Sequence, residues 1–183
     1  HSCRPHTLLL GLAWLYEVLT QPSLSTADRA LLRLEAAHYW LEMAESELQA
    51  EWSVIFSPPA ANLLARANEL LADDPRSALG SLGNRAGSYQ LSRAAAQARH
   101  RFLSVLQDHK LARNGLNVED TLKRAVSQAR PLLESLIAQR GEPDYAMQRA
   151  LCIACGILLR DPKPHQKALA QLAKQASKAL PKT

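Results

Sequence analysis

The sequence predicts an all-α fold, and three features of its composition lead to that prediction. Apolar residues make up 47% of the 183 positions, which is enough to form a buried core. Most of them are alanine and leucine, which have strong helix propensity, whereas β-branched residues are sparse and aromatic residues amount to only 5%. We therefore expect a single compact domain over residues 1–183, a helical bundle or a short stack of antiparallel helical hairpins with about seven helices.

The first helix is expected over about residues 6–20. Residues 8–19 are the most apolar run, but they are too few to span a membrane and they include Glu17. We therefore interpret this run as a core helix and predict no membrane partner. Pro22 ends the helix, because proline has no backbone N–H and disfavours helical backbone just before itself.

The second helix is expected to be long and amphipathic. Ser25 and Asp28 have the spacing of a capping box, and helical periodicity continues from there as far as Phe56. A third helix then ends near Leu71. Residues 73–88 are rich in Gly, Ser, Asp and Pro, a loop composition that predicts a hinge.

Four more helices are expected in the remainder of the chain. The fourth covers about residues 89–113, and the fifth begins after Asn117. Pro131 falls inside the fifth helix and should kink or divide it, because it removes a backbone hydrogen bond and clashes with the preceding turn. The sixth helix follows Pro143, and its apolar core predicts that it is the most buried. The seventh follows Pro164.

Charge is divided unequally between the two halves of the chain. Residues 1–84 contain five basic and ten acidic residues, a net charge of −5, whereas residues 85–183 contain 17 basic and seven acidic residues, a net charge of +10. All seven lysines lie in the second half. Such asymmetry favours a basic surface for phosphate backbones or an acidic partner, with the acidic half binding protein. A solvated basic surface without a partner is the alternative.

The predicted nucleic-acid-binding surface consists of lysines at helical spacing near the C-terminus and of basic residues on the fourth and fifth helices. Point charges of this kind bind phosphate oxygens without reading the base sequence. They are Lys163, Lys167, Lys174, Lys178, Arg93, Arg99, Arg101, Lys110, Arg113, Lys123 and Arg124.

The three cysteines predict free thiols and no disulfide framework, which is typical of the cytoplasm or another reducing compartment. Cys152 and Cys155 have the spacing of a redox or zinc pair, but they occur in the middle of an apolar helix and no second ligand pair exists at matching spacing. We therefore interpret them as buried, inert thiols. No cofactor is predicted.

Glu35 and His38 form an E-x-x-H pattern of the kind found in di-iron helical bundles, with Glu42 on the same side. No second E-x-x-H exists, so we interpret His38 as a surface residue. The sequence also has no phosphate-binding loop, dinucleotide fingerprint or nucleophile elbow. The leading hypothesis is a non-enzymatic subunit of a nucleoprotein assembly. A helical adaptor that binds protein is the alternative, and a metal-dependent helical enzyme is a distant third.

Overall fold

The computed structural model describes residues 5–49, 59–72, 76–111, 118–138 and 144–179. Within these ranges the chain forms α-helices and two short 3₁₀ turns and contains no strand. The all-α fold that the sequence predicts is therefore confirmed.

The seven predicted helices correspond to nine helices in the described residues, because one short helix is added in the segment of loop composition and the predicted fifth helix is divided in two. The predicted extension of the second helix to Phe56 lies outside the described residues. The helices are α1 (Pro5–Leu19), α2 (Thr26–Gln49), α3 (Ala60–Leu71), α4 (Arg76–Leu82), α5 (Ala86–Leu111), α6 (Val118–Ser127), α7 (Arg130–Ala138), α8 (Tyr145–Leu158) and α9 (Gln166–Ala179). The 3₁₀ turns cover Gly83–Arg85 and Lys163–His165.

Two long helices organise the packing. Helix α2 contacts α1, α3, α4 and α5, and α5 in turn contacts α3, α6 and α8. Helix α8 also packs against α7, which supports α9. Buried side chains from Leu8 on α1 to Ala168 on α9 belong to one apolar cluster. The acidic and basic halves of the chain therefore share a core, joined mainly where α2 and α3 meet α5.

Side-chain caps account for the starts of two helices. The backbone N–H of Asp28 donates to Ser25 Oγ at 3.1 Å, and the Ser25 hydroxyl donates back to the Asp28 carboxylate at 2.6 Å. This reciprocal pair is the capping interaction that the sequence predicts for α2. At α8, the Asp144 carboxylate accepts a hydrogen bond of 2.8 Å from the backbone N–H of Met147. Both caps satisfy backbone donors that the first helical turn leaves unpaired.

Helix α1 lies close against α2 because the chain has a glycine at the contact. A Cβ atom on Gly11 would come within 3.0 Å of the Tyr39 ring. The Arg29 guanidinium, near the start of α2, donates hydrogen bonds to the carbonyls of Leu19 and Gln21 at 2.5 and 3.2 Å. These bonds satisfy carbonyls at the end of α1 and fix the turn between the two helices.

Two segments differ from the prediction in their local structure. Residues 76–88, which have loop composition, form α4, a 3₁₀ turn and the start of α5. Gly83 in that turn has a φ of 53°, a left-handed conformation that suits glycine. A hinge over residues 73–88 remains a prediction. Pro131 divides the predicted fifth helix as expected, because it is the second residue of α7.

The burial of two helices also differs from the prediction. Helix α1 is buried on one side only, and its outer side exposes Leu10 and Trp14. Cys152 on α8 and Leu159 just after it are exposed, and α2 has more buried residues than α8. Hydrophobicity predicted both helices correctly but overstated how much of each is covered. No helix in the described ranges is both long and apolar enough to cross a membrane.

Candidate functional site

Two of the predicted nucleic-acid-binding arginines hold helices together instead of facing solvent. Arg93 on α5 donates a hydrogen bond of 2.6 Å to the carbonyl of Leu71, at the C-terminus of α3. Arg99, further along α5, donates through Nε and Nη2 to Glu45 on α2 at 2.9 and 2.5 Å. Both side chains of this pair are largely buried. The prediction that Arg93 and Arg99 belong to a free basic surface is therefore corrected.

Six of the predicted basic residues are exposed. They are Arg101, Lys123, Arg124, Lys163, Lys167 and Lys174. Helices α5 and α6, which carry the first three, are in contact, as the predicted surface requires. Lys163 lies in the 3₁₀ turn that precedes α9, so only Lys167 and Lys174 lie on the last helix itself.

Three further predicted residues cannot be placed on this surface. Arg113 lies outside the described residues, and the side chains of Lys110 and Lys178 lie outside the described part of their helices. They remain predictions. Six of the eleven predicted residues are therefore exposed in the described part of the chain, and their binding role remains a prediction.

A polar layer crosses the interior where α2, α5 and α8 meet. Arg149 on α8 donates two hydrogen bonds, each of 2.6 Å, to the two carboxylate oxygens of Glu35 on α2. Burial lowers the pKa of Arg149, but the hydrogen bonds and charge of Glu35 outweigh this effect and raise it above its usual value. The guanidinium also lies 5.0 Å from the centre of the Tyr145 ring. Arg149 therefore stays charged and joins α8 to α2.

His38 is buried inside this layer, which corrects the expectation of a surface residue. It is 2% exposed, and its Nε2 lies 2.9 Å from the hydroxyl oxygen of Ser92 on α5. Its pKa is lowered to about 3, first by burial and then by the positive charges of Arg149 and Arg99. The ring is therefore neutral at physiological pH, and its Nδ1 has no hydrogen-bond partner among the described residues.

The E-x-x-H pattern thus has a structural explanation. Glu35 is saturated by Arg149, and His38 is oriented by Ser92, so the two side chains do not converge on a common point. Within the described ranges, no three His, Cys, Asp or Glu side chains are grouped as metal ligands would be. Sequence reasoning found the two residues but missed Arg149, whose partner lies 114 positions away.

Two clefts flank the polar layer. The larger, of about 410 Å³, has leucine and tyrosine side chains in its wall together with Arg85, Asp144 and the Glu35–Arg149 pair. The Ser88 hydroxyl donates to the Asp144 carboxylate there, which lowers the pKa of Asp144. Both signs of charge are present in the wall, so the cleft does not by itself select an anion or a cation.

The second cleft, of about 260 Å³, brings the exposed Cys152 close to charged groups. Its wall includes Arg99 and Arg149 together with Glu42 and Glu45. The neighbouring Cys155 is half-buried, and its pKa is raised by burial and by the nearby Cys152. The expectation that both thiols are buried and inert is therefore corrected for Cys152, which is accessible to solvent.

No protein family, curated protein or solved structure matches this chain. The fold and the sites described above define an all-α protein with an internal polar layer and an exposed set of cations on its second half.

Proposed function

We propose that this chain is a non-enzymatic helical subunit whose second half contacts the phosphate backbone of a nucleic acid within a larger assembly. The observation that carries the proposal is a set of exposed cations without local anionic partners. Within the described part of the chain, no hydrogen bond or ion pair engages the side chains of Arg101, Arg124, Lys163 and Lys167. Arg93 and Arg99, in contrast, are tied to neighbouring helices.

The absence of local pairing matters for binding energy. A cation that is already paired with a carboxylate must lose that partner before it binds a phosphate, whereas a solvated lysine displaces only the counterions condensed on the nucleic acid. The four residues lie on four elements, namely α5, α6, the 3₁₀ turn before α9 and α9 itself. Helical positions fix the backbones of these residues while the long side chains adapt to phosphate spacing.

Recognition by this surface would be independent of base sequence. Lysine ammonium groups act as point charges, and no element of the proposal requires a helix to enter a groove. Aromatic stacking on unpaired bases has little support, because the exposed Tyr145 ring already lies against Arg149. We therefore expect similar affinities for different sequences and a strong dependence on salt.

The test is fluorescence anisotropy with labelled single-stranded RNA, single-stranded DNA and duplex DNA at about 50 and about 200 mM salt. We expect binding at low salt that weakens steeply at high salt. The variant Lys163→Glu with Lys167→Glu should lower affinity at low salt at least ten-fold, and for duplex DNA each lost contact should reduce the salt slope by about 0.9.

The matched control reverses two arginines in the first half, Arg66→Glu with Arg76→Glu. It changes the net charge by the same amount as the lysine variant, and both arginines are exposed. We expect it to change affinity by no more than about two-fold, because screening limits the reach of distant charges. Equal losses in the two variants, or no binding at low salt, would overturn the proposal.

A helical adaptor that binds protein is the second candidate, and a specific observation favours it: the apolar outer side of α1. That surface is independent of the exposed cations of the second half. The metal-dependent enzyme gains no support, because Glu35 is paired with Arg149 and His38 with Ser92.

A further inference from the structure

Helix α1 has an apolar outer side, which is unusual for a helix at the surface of a protein. Leu8, Leu12 and Leu15 face α2 and are buried. On the opposite side Leu10 is 72% exposed and Trp14 is 61% exposed. An ordinary surface helix places charged and polar residues on that side. In this protein the outer side is apolar over most of the helix length.

The exposed apolar residues form one continuous strip. At 100° per residue, five apolar residues fall within a single arc of the helix, away from the leucines that face α2. They are Leu9, Leu10, Ala13, Trp14 and Tyr16. All five are exposed. Such a strip is larger than the isolated apolar residues that are normal on a protein surface, and it is typical of an interaction site.

The strip is joined to a cleft on the neighbouring helices. The Trp40 indole N–H on α2 donates a hydrogen bond of 3.2 Å to the Tyr16 hydroxyl on α1. Trp40 also lines a cleft of about 430 Å³ between α2 and α3, whose wall includes Ala65 and the Arg66–Glu69 ion pair. The outer side of α1 and this cleft therefore form one surface, which we call the α1–α3 surface. It has a flat apolar part and a recessed part.

The residue types on the α1–α3 surface are those that dominate binding energy in protein interfaces. Trp14, Tyr16 and Trp40 are large, have few rotatable bonds and combine an apolar body with a polar group. A helix of 15 residues is about 22 Å long, which matches a partner helix of four turns lying alongside it. The cleft next to Trp40 is large enough to receive an apolar side chain from such a helix.

The charge of the α1–α3 surface indicates which residues should flank the apolar face of the partner. The α1–α3 surface lies in the half of the chain that carries ten acidic and five basic residues. Among the described side chains of α1, Glu17 is the charged one, and it is exposed. In the cleft wall Glu69 is paired with Arg66, so the two charges there offset each other and Glu17 provides the unbalanced charge. We propose that the α1–α3 surface binds an amphipathic helix of a partner protein, with its leucine-rich face on Trp14 and Tyr16 and with basic residues flanking that face.

The proposal is tested with two synthetic helical peptides of the same length and the same leucine face. One carries lysines on the remaining positions and the other carries glutamates. Anisotropy of the labelled peptides, titrated with the full chain, should show at least ten-fold tighter binding of the lysine peptide. The variant Leu10→Ser with Trp14→Ser should weaken that binding at least ten-fold, and Glu17→Gln should weaken it several-fold at low salt.

The matched control is Leu159→Ser, just after α8, which removes a side chain that is 60% exposed and lies outside the α1–α3 surface. It should leave peptide affinity unchanged. Because all the substituted side chains are exposed, circular dichroism should show folded variants. Nucleic-acid affinity should also be unchanged in the α1 variant, so failure of this proposal is distinguishable from failure of the proposed function.

Three results would overturn the proposal. The first is that neither peptide binds the wild-type chain, or that both bind it equally, because charge then does not select the partner. The second is that light scattering shows a dimer of the wild-type chain and a monomer of the variant Leu10→Ser with Trp14→Ser. That result assigns the surface to a second copy of this chain. The third is that the protein floats with phosphatidylcholine vesicles and that this flotation requires Trp14. That result assigns the surface to lipid.

Discussion

Arg149 and Glu35 meet in a two-pronged ion pair, with both guanidinium–carboxylate hydrogen bonds 2.6 Å long. The pair connects α8, in the basic half of the chain, to α2, in the acidic half. Its two charges cancel locally, so neither contributes to the surface charge that the proposed function uses. Charged residues in this protein therefore have two separate roles, one internal and one at the surface.

Replacing Arg149 with methionine should destabilise the fold by about 1–3 kcal/mol, because the substitution leaves the Glu35 carboxylate without the donors that compensate its partial burial. Urea unfolding at neutral pH measures the change. The exposed pair Arg66–Glu69, whose side chains are 62% and 64% exposed, is the control. Arg66→Met should cost less than about 0.5 kcal/mol, since exposed pairs contribute little. Equal costs would mean that the Arg149 pair is no stronger than a solvated one.

The predictions that were confirmed depend on residues close together in sequence. The Ser25–Asp28 cap and the division at Pro131 follow from interactions within one helical turn, which are visible in the order of the residues. The additional helix α4 was missed because its stability comes from packing. Glycine and serine in residues 76–88 lower helix propensity, but the buried Ala78 and Leu82 pack into the core and stabilise the helix.

The basic surface was predicted only in part, because pairing across helices is not visible in composition. Arg93 and Arg99 bond to partners that lie 22 and 54 positions away. A count of charges treats such arginines as solvated, although the guanidinium is the cation best suited to internal pairs. The lysines are less suited to internal pairing, and those whose side chains are described remain exposed, as predicted.

The outer side of α1 shows a second limit of sequence reasoning. High hydrophobicity correctly predicted a helix that contributes to the core, but it does not state how many sides of that helix are covered. The informative signal was the lack of a polar side: among the described side chains of α1, Glu17 is the charged one. An exposed helix side that is mostly apolar is typical of an interaction site.

Gly156→Ala should stabilise the protein by about 0.5–1 kcal/mol, because alanine has higher helix propensity and restricts the unfolded chain without cost in the helix. The glycine lies in α8 with ordinary helical backbone, and a Cβ atom there would meet no atom within 4 Å. Thermal unfolding monitored by circular dichroism measures the shift.

Two glycine controls separate the effect of helix propensity on stability from the effects of steric contact and of the backbone dihedral angle φ. Gly11→Ala should stabilise less than Gly156→Ala, or destabilise, because its Cβ would press on the Tyr39 ring. Gly83→Ala should destabilise by about 1 kcal/mol, because its φ of 53° is unfavourable for any residue with a Cβ. An equal gain at all three positions would contradict the close contact at Gly11 and the left-handed backbone at Gly83.

Cys152 should react with iodoacetamide faster than Cys155 in the folded protein. Cys152 is exposed, whereas burial and the neighbouring Cys152 raise the pKa of Cys155 and keep it as the less reactive thiol. Peptide mapping by mass spectrometry after a short exposure at a mildly alkaline pH measures the two modified fractions. In urea the difference should disappear, and equal labelling of the native protein would show that the two environments do not differ.

His38 should make the fold less stable as the pH falls from about 6.5 towards 3. Its pKa is about 3 in the folded protein and 6.5 in the unfolded chain, so between these values the unfolded chain binds a proton that the folded protein excludes. Each pH unit in this window costs up to about 1.4 kcal/mol from this residue. His38→Gln keeps a polar side chain beside Ser92 but does not titrate. Urea unfolding at neutral pH and two pH units below it should therefore show a smaller loss in the variant, and an identical loss would mean that His38 is not the residue responsible.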